Sequence, residues 1–172
     1  MKIQMTKRSR KMMATLLGGA LSLAAVLSGT FLTAPGEGLV RKTYVDPAGV
    51  VTACYGHTGP ALELGKTYTK KECLEFLMGD LKEAQGQVEK YIHVPLNLWQ
   101  RAALIDFTYN LGPTNLKNST MAKLFNKGDY VGGCKQLSRW VYANGDKLPG
   151  LVERRGKDMA FCLGKVEIVY DH

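Results

Sequence analysis

The chain has 172 residues, 45% of them apolar, and a formal net charge of +8. That is enough apolar side chain for one sizeable core and argues for a single globular domain. The charge is uneven: Lys2, Lys7, Arg8, Arg10 and Lys11 open the chain with no acid among them, and the remainder carries 18 basic against 15 acidic residues. Such a balance suits an anionic polymer without requiring one. No basic stripe is interleaved with aromatics, which argues against nucleic acid as a partner. The four cysteines and three histidines fit no zinc spacing, so neither a metal nor another cofactor is expected.

The basic head precedes an uncharged run of 24 residues, Met12 to Pro35. Basic flank first and apolar run second is the order of an export signal or of an inward-anchored membrane helix. The run is long enough to span a bilayer, for which about 20 residues suffice. It is weakly apolar, however: 13 of its residues are Ala, Gly, Ser or Thr, against ten Met, Leu, Val and Phe. Its residence in lipid should be marginal. Ala14, Gly18 and Ser22 lie four apart, which offers a small-residue packing face or simply keeps the helix extractable. Cleavage is the alternative reading; the site after Ala34 is spoiled by Leu32 and Pro35, and one after Ser28 remains open.

Thr43 to Tyr55 reads as a β-hairpin, with Asp46-Pro47-Ala48-Gly49 as a type I turn between strand formers. His57-Thr58-Gly59-Pro60 then ends the strand region. Thr69-Lys70-Lys71-Glu72 is a capping box that opens a long helix running towards Lys90. A second helix begins after Pro95 and Asn97, is apolar nearly all round, and stops at Gly112-Pro113. Three shorter helices are expected near Thr120–Asn126, Tyr130–Tyr142 and Gly150–Leu163. The fold class is α+β, with a small β-hairpin lobe and a larger helical lobe joined by a long helix and a cleft between the lobes.

Cys54, Cys73, Cys134 and Cys162 all follow the apolar run, and in an exported chain they read as two disulfides with three connectivities open. Chain proximity favours Cys54–Cys73 and Cys134–Cys162.

The informative stretch for chemistry runs from Glu37 to His57. Glu37 precedes the hairpin, Asp46 opens its turn and Thr52 lies on the returning strand, where the turn brings residues 46 and 52 together. Glycoside hydrolysis needs a protonated acid at the leaving oxygen and a base or nucleophile on the other face of the sugar. Glu37 and Asp46 could form that pair, with Thr52 holding a water. On composition alone, a solvated acid, a turn Asp and a strand Thr are the commoner explanation.

Glu-x8-Asp-x5-Thr followed by Tyr55-Gly56-His57-Thr58 resembles the catalytic signature of T4-type phage lysozymes, glycoside hydrolase family 24. The likeness continues in order through Tyr68-Thr69-Lys70-Lys71-Glu72-Cys73, Phe107-Thr108-Tyr109-Asn110-Leu111-Gly112 and Leu148-Pro149-Gly150-Leu151-Val152-Glu153-Arg154-Arg155. The resemblance implies a lysozyme-like fold and hydrolysis, with inversion, of the bond between N-acetylmuramic acid and N-acetylglucosamine in peptidoglycan. It makes Glu37 the general acid and gives Asp46 and Thr52 the attacking water. His57 would form a structural ion pair with Asp80, and Asn110 would line the substrate cleft or brace it. Trp140 reads as core, and Arg154 and Arg155 read most simply as surface ion-pair partners.

The N-terminus is similar to that of the signal-anchor-release endolysins. Residues 1–35 would then be a signal-anchor-release segment ahead of a catalytic domain over 36–172. The enzyme would be held in the host inner membrane through a weakly hydrophobic helix within residues 12–35, facing the periplasm, and then released as a monomer. A holin or pinholin would be its functional partner. Residues 12–35 hold no cysteine and residue 36 is Gly, so thiol-exchange activation from the anchor is not expected. Two rivals remain: a lytic transglycosylase, which needs no Asp/Thr pair for water, and a non-catalytic wall-binding protein, for which loss of Glu37 or Asp46 would have been the sign.

Overall fold

A computed structural model describes residues 1–19, 21–46, 48–143 and 145–170. A strand β1 (Lys2–Met5) and a basic helix α1 (Lys7–Gly18) come first. There follows a single helical rod made of α2 (Leu23–Ser28), a π-helical turn (Gly29–Thr33) and α3 (Ala34–Glu37). The apolar run is therefore not one helix here. Ser22 caps α2, accepting from the Ala25 N–H at 3.2 Å and donating to Gln85 Oε1 at 2.5 Å. Gly18 and Gly19, costly inside a helix, lie at the break. Among the described residues no helix is long and apolar enough to cross a membrane.

Far from standing apart, the rod fills the helical lobe. Ala25 and Val26 are fully buried, and Thr30, Phe31, Leu32, Thr33 and Ala34 are buried beside them. It packs on α5 (Leu98–Leu111), whose face-independent apolarity is explained by its position: Ala102 to Thr108 are buried without a break. Asn97 caps α5 through a capping box with Gln100. The other long helix, α4 (Lys70–Tyr91), starts at the Thr69–Glu72 capping box and joins the lobes.

The small lobe is a three-stranded antiparallel sheet, β2 (Val40–Val45), β3 (Val51–Cys54) and β4 (His57–Thr58), in that order. His57-Thr58 thus adds a strand rather than ending the sheet, because Gly56 turns back at φ +81° and sets His57 opposite Ala53. The Cys54–Cys73 disulfide ties β3 to α4.

Beyond α5 the chain forms α6 (Pro113–Asn118), α7 (Thr120–Asn126) and α8 (Tyr130–Lys135). Gly112-Pro113 both stops α5 and starts α6, since Pro suits the first helical position. The helix expected to reach Tyr142 stops early. It tightens to a 3₁₀ turn (Gln136–Arg139), then Trp140 turns edge-on against Phe107, and a short hairpin follows, β5 (Tyr142–Ala143) and β6 (Asp146–Lys147). Next comes α9 (Pro149–Cys162), joined to α8 by Cys134–Cys162. The last strand, β7 (Glu167–Tyr170), runs parallel to β1.

Candidate active site

Glu37 ends the helical rod. Gly38, at φ +73°, turns the chain out of the helix and into β2. This delivers the carboxylate to the junction of the two lobes, with its side chain 21% exposed. Three elements meet it there. Arg154 Nη1 of α9 donates to Oε1 at 2.6 Å, and Asn110 Nδ2 of α5 approaches the same oxygen at 3.5 Å. Gly56 of the small lobe lies so close that a Cβ there would stand 3.1 Å from Oε2.

Arg154 is not a surface residue: its side chain is 11% exposed, because the rest of its guanidinium is held by a carboxylate inside the protein. Nε and Nη2 each donate to Asp106 at 3.0 Å. Asp106 is fully buried, and its Oδ1 also accepts from the Thr33 hydroxyl at 2.8 Å. Burial opposes its ionisation, but the charge and hydrogen bonds of Arg154, with the Thr33 hydroxyl, hold the carboxyl below the usual range. An unbroken chain of bonds therefore runs from Thr33, inside the apolar run, through Asp106 and Arg154 to Glu37.

Arg155, fully buried, donates to Asn110 Oδ1 at 2.9 Å and faces Asp158 at 3.1 Å. Burial, and Asp106 nearby, push the Asp158 carboxyl well above its ordinary range. Asn110 thus braces Arg155 and reaches Glu37 at once.

Asp46 and Thr52 stand apart from this cluster. Asp46 Oδ1 accepts from the N–H groups of Ala48 and Val50 at 2.8 and 2.9 Å, and the Thr52 hydroxyl donates to the Val50 carbonyl at 3.2 Å. Among the described residues, no hydrogen bond joins either to Glu37. The ladder sets Thr52 opposite Tyr44, and Asp46 follows two residues beyond, so the pleat puts Asp46 and Thr52 on one face.

His57 Nδ1 lies 2.8 Å from Asp80 Oδ2, and the ring stacks on Phe76 at 4.3 Å. Burial raises the Asp80 carboxyl against the pull of His57. Tyr109 donates to the Tyr55 carbonyl at 2.7 Å and pins α5 to the sheet. Beside it, a groove of about 290 Å³ opens between the lobes, lined by Gly56, Thr58, Asp80, Glu83, Tyr109 and Gly112. It runs past the glycine that touches Glu37.

The Phage lysozyme family profile matches residues 34–158. The chain belongs to the phage lysozyme family. This lysozyme is similar to the SAR-endolysin of Bacteriophage PS119, 43% identical over 156 residues, 88% of this chain and 91% of the relative. It is likewise similar to the SAR-endolysin of Enterobacteria phage PA-2, 42% identical over 151 residues, 85% and 89% of the two chains. Among solved structures, the active form of P1 phage endolysin Lyz superposes with a TM-score of 0.79 at 22% identity, covering 91% of this chain and 94% of that one. The activity of this lysozyme is accordingly glycoside hydrolysis that lyses the cell wall.

Sequence reasoning missed Arg154, Asp106 and Thr33 as parts of the site. Asp106 carried a signal: it is the lone acid of α5 and the one charge in the run that follows Arg101, and a charge buried there requires a partner.

Proposed function

We propose that this lysozyme cleaves the β-1,4 bond between N-acetylmuramic acid and N-acetylglucosamine with inversion, Glu37 acting as proton donor and Asp46 and Thr52 holding the attacking water. The observation that carries this reading is the delivery of Glu37 to the mouth between the lobes, gripped by Arg154 and Asn110 with Gly56 against it. Arg154 fixes the carboxyl in direction, while Asp106 takes two of its three donor arms and much of its charge. Asp46, with Oδ1 fixed by two backbone N–H groups, keeps Oδ2 for a water, and Thr52 on the same face supplies a second contact.

Glu37→Gln keeps the volume but cannot give the proton. General acid help is typically worth 10²–10⁴-fold, so activity on purified peptidoglycan should fall at least that far. A folded variant of near-native activity would overturn the role. Hydrolysis should leave reducing muramic ends; anhydro ends would mark a transglycosylase instead.

We further infer that the enzyme is first held in the inner membrane by residues 12–35, facing the periplasm, and then leaves it uncleaved, a holin or pinholin supplying the trigger. The division at residue 35 describes that anchored topology, whereas in the released form the rod is part of the core. Support comes from the relatives' description as SAR-endolysins and from the burial of this segment against α5. An inside-negative potential holds the basic head in the cytoplasm by about 2.3 kcal/mol per charge per 100 mV for a full crossing. Its collapse removes that hold. The mass of the active periplasmic protein tests this: a chain beginning near Gly29 or Pro35 would mean an ordinary cleaved signal.

A further inference from the structure

The two ends of the described chain are joined. Lys2 through Met5 pair in parallel with Glu167 through Tyr170, and the Glu167 N–H donates to the Met1 carbonyl at 2.9 Å. A parallel pair needs a long connection between its strands; here the connection is the whole enzyme. Two strands of four residues are marginal by themselves. These gain support from Met5, 4% exposed, and from Ile3, Val166 and Ile168, which pack against the core.

The location of β1 gives the pairing its meaning. It lies on the far side of the apolar run from β7, together with Lys2, Lys7, Arg8, Arg10 and Lys11. While residues 12–35 span a bilayer, about 30 Å of hydrocarbon separates the two strands and the ladder cannot form. It forms only when the basic head has crossed to the side of the catalytic body. Once formed, it must break before the head can return.

We propose that β7 is an acceptor strand for the chain's own N-terminus, and that the β1–β7 ladder commits the enzyme to the released state. This rests on the anchored-then-released reading above. The ladder gives no contact to the embedded form, so its whole free energy biases the equilibrium towards release. Among the described residues no hydrogen bond or ion pair joins either strand to Glu37, Asn110, Asp106 or Arg154, so loss of the ladder should spare the chemistry.

The test places cysteines at register partners, Gln4→Cys with Val169→Cys, in the full-length chain expressed in cells with a periplasm. All four native cysteines are already paired. A mild oxidant is applied before and after collapse of the membrane potential, and peptide mapping reads the 4–169 link. The link should be absent before collapse and form afterwards in protein of full-length mass. Released, active, full-length enzyme without the link overturns the clasp alone. A released form lacking residues 1–28 or 1–34 overturns the anchored reading and the clasp with it. A second variant, Ile168→Pro, should keep activity on isolated walls within about twofold. Its membrane-bound fraction, with purified enzyme and anionic phospholipid vesicles, should rise roughly tenfold, equivalent to about 1.4 kcal/mol. Partition equal to that of the unaltered enzyme would overturn the proposal.

Discussion

Replacing Thr33 by Val tests whether the docked rod and the active site are one bonded unit. Val matches Thr in shape and removes only the hydroxyl, which donates to Asp106 Oδ1 at 2.8 Å in a fully buried setting. A hydrogen bond to a charged group is worth about 1.5–3 kcal/mol. For a chain of this size that is a fall in melting temperature of roughly 3–12 °C. Asp106 would keep its two bonds from Arg154 but lose the contact that fixes its rotamer from the other side. Arg154 positions Glu37, and small misplacements of a reacting group are costly, so kcat on purified walls should fall about tenfold. Thr33→Ser is the control: it keeps the donor and loses one methyl, about 1 kcal/mol. Denaturant melts and wall turnover for both variants give the answer. If Thr33→Val lies within ~0.5 kcal/mol of the parent with the same kcat, the bond is incidental and the coupling argument fails.

Three further outcomes follow from the site and the crosslinks. Asp46→Asn should cripple turnover, and Thr52→Ser should be tolerated better than Thr52→Val, measured as initial rates on purified peptidoglycan. Breaking either disulfide, as Cys73→Ser or Cys162→Ser, opens a loop closed at a separation of 19 or 28 residues, worth about 3–3.5 kcal/mol in the chain-entropy model; equilibrium unfolding checks it. Asp106, held below the usual carboxylate range, contributes stability that is present above its unfolded value of about 4 and lost as pH falls through the lower folded one. Asp106→Asn should therefore lower the melting temperature at neutral pH and flatten its decline in acid, as read by melts across pH 2–7.

Local rules made much of the fold legible. Thr69 with Glu72 announced α4, and that capping box forms; Pro95 and Asn97 announced the start of α5, where Asn97 forms a second box with Gln100. Asp46 to Gly49 announced the hairpin, with Pro47 itself outside the described residues. What escaped was whatever depends on distant partners. Pro113 was read only as a stop, although the same proline begins α6. Trp140 ends a helix early because its ring seats on Phe107, 33 residues back. Arg154 looked like a surface charge because its two carboxylates lie 48 and 117 residues away. The apolar run was the hardest case. Its composition suits a membrane and a core equally well, and nothing within it says that Thr33 meets a buried aspartate.

The glycines of that run would separate the embedded and docked states proposed above. Small residues keep the segment weakly apolar, and the same smallness lets the docked rod pack closely, so most substitutions would disturb both states. Gly18 does not share this ambiguity: a Cβ there meets nothing within 4 Å in this structure. Gly29 is its opposite, because a Cβ would lie 2.7 Å from Leu81 Cδ1 and 2.9 Å from Leu16 Cδ1, inside the core. Gly19 would run into Met78 Sδ, and Ser22 caps α2, so both belong with Gly29. Gly18→Leu should accordingly strengthen anchoring and delay lysis, while the purified enzyme keeps its melting temperature and wall activity. Gly29→Leu should deepen anchoring too, but overpacking of this kind costs typically 1–3 kcal/mol, and the released enzyme should melt lower. Timed lysis after collapse of the membrane potential reads the first effect, and melts of purified protein read the second. If Gly18→Leu lyses on the parent's schedule, weak apolarity is not what sets release. If Gly29→Leu melts with the parent, the rod does not dock in solution as it does here.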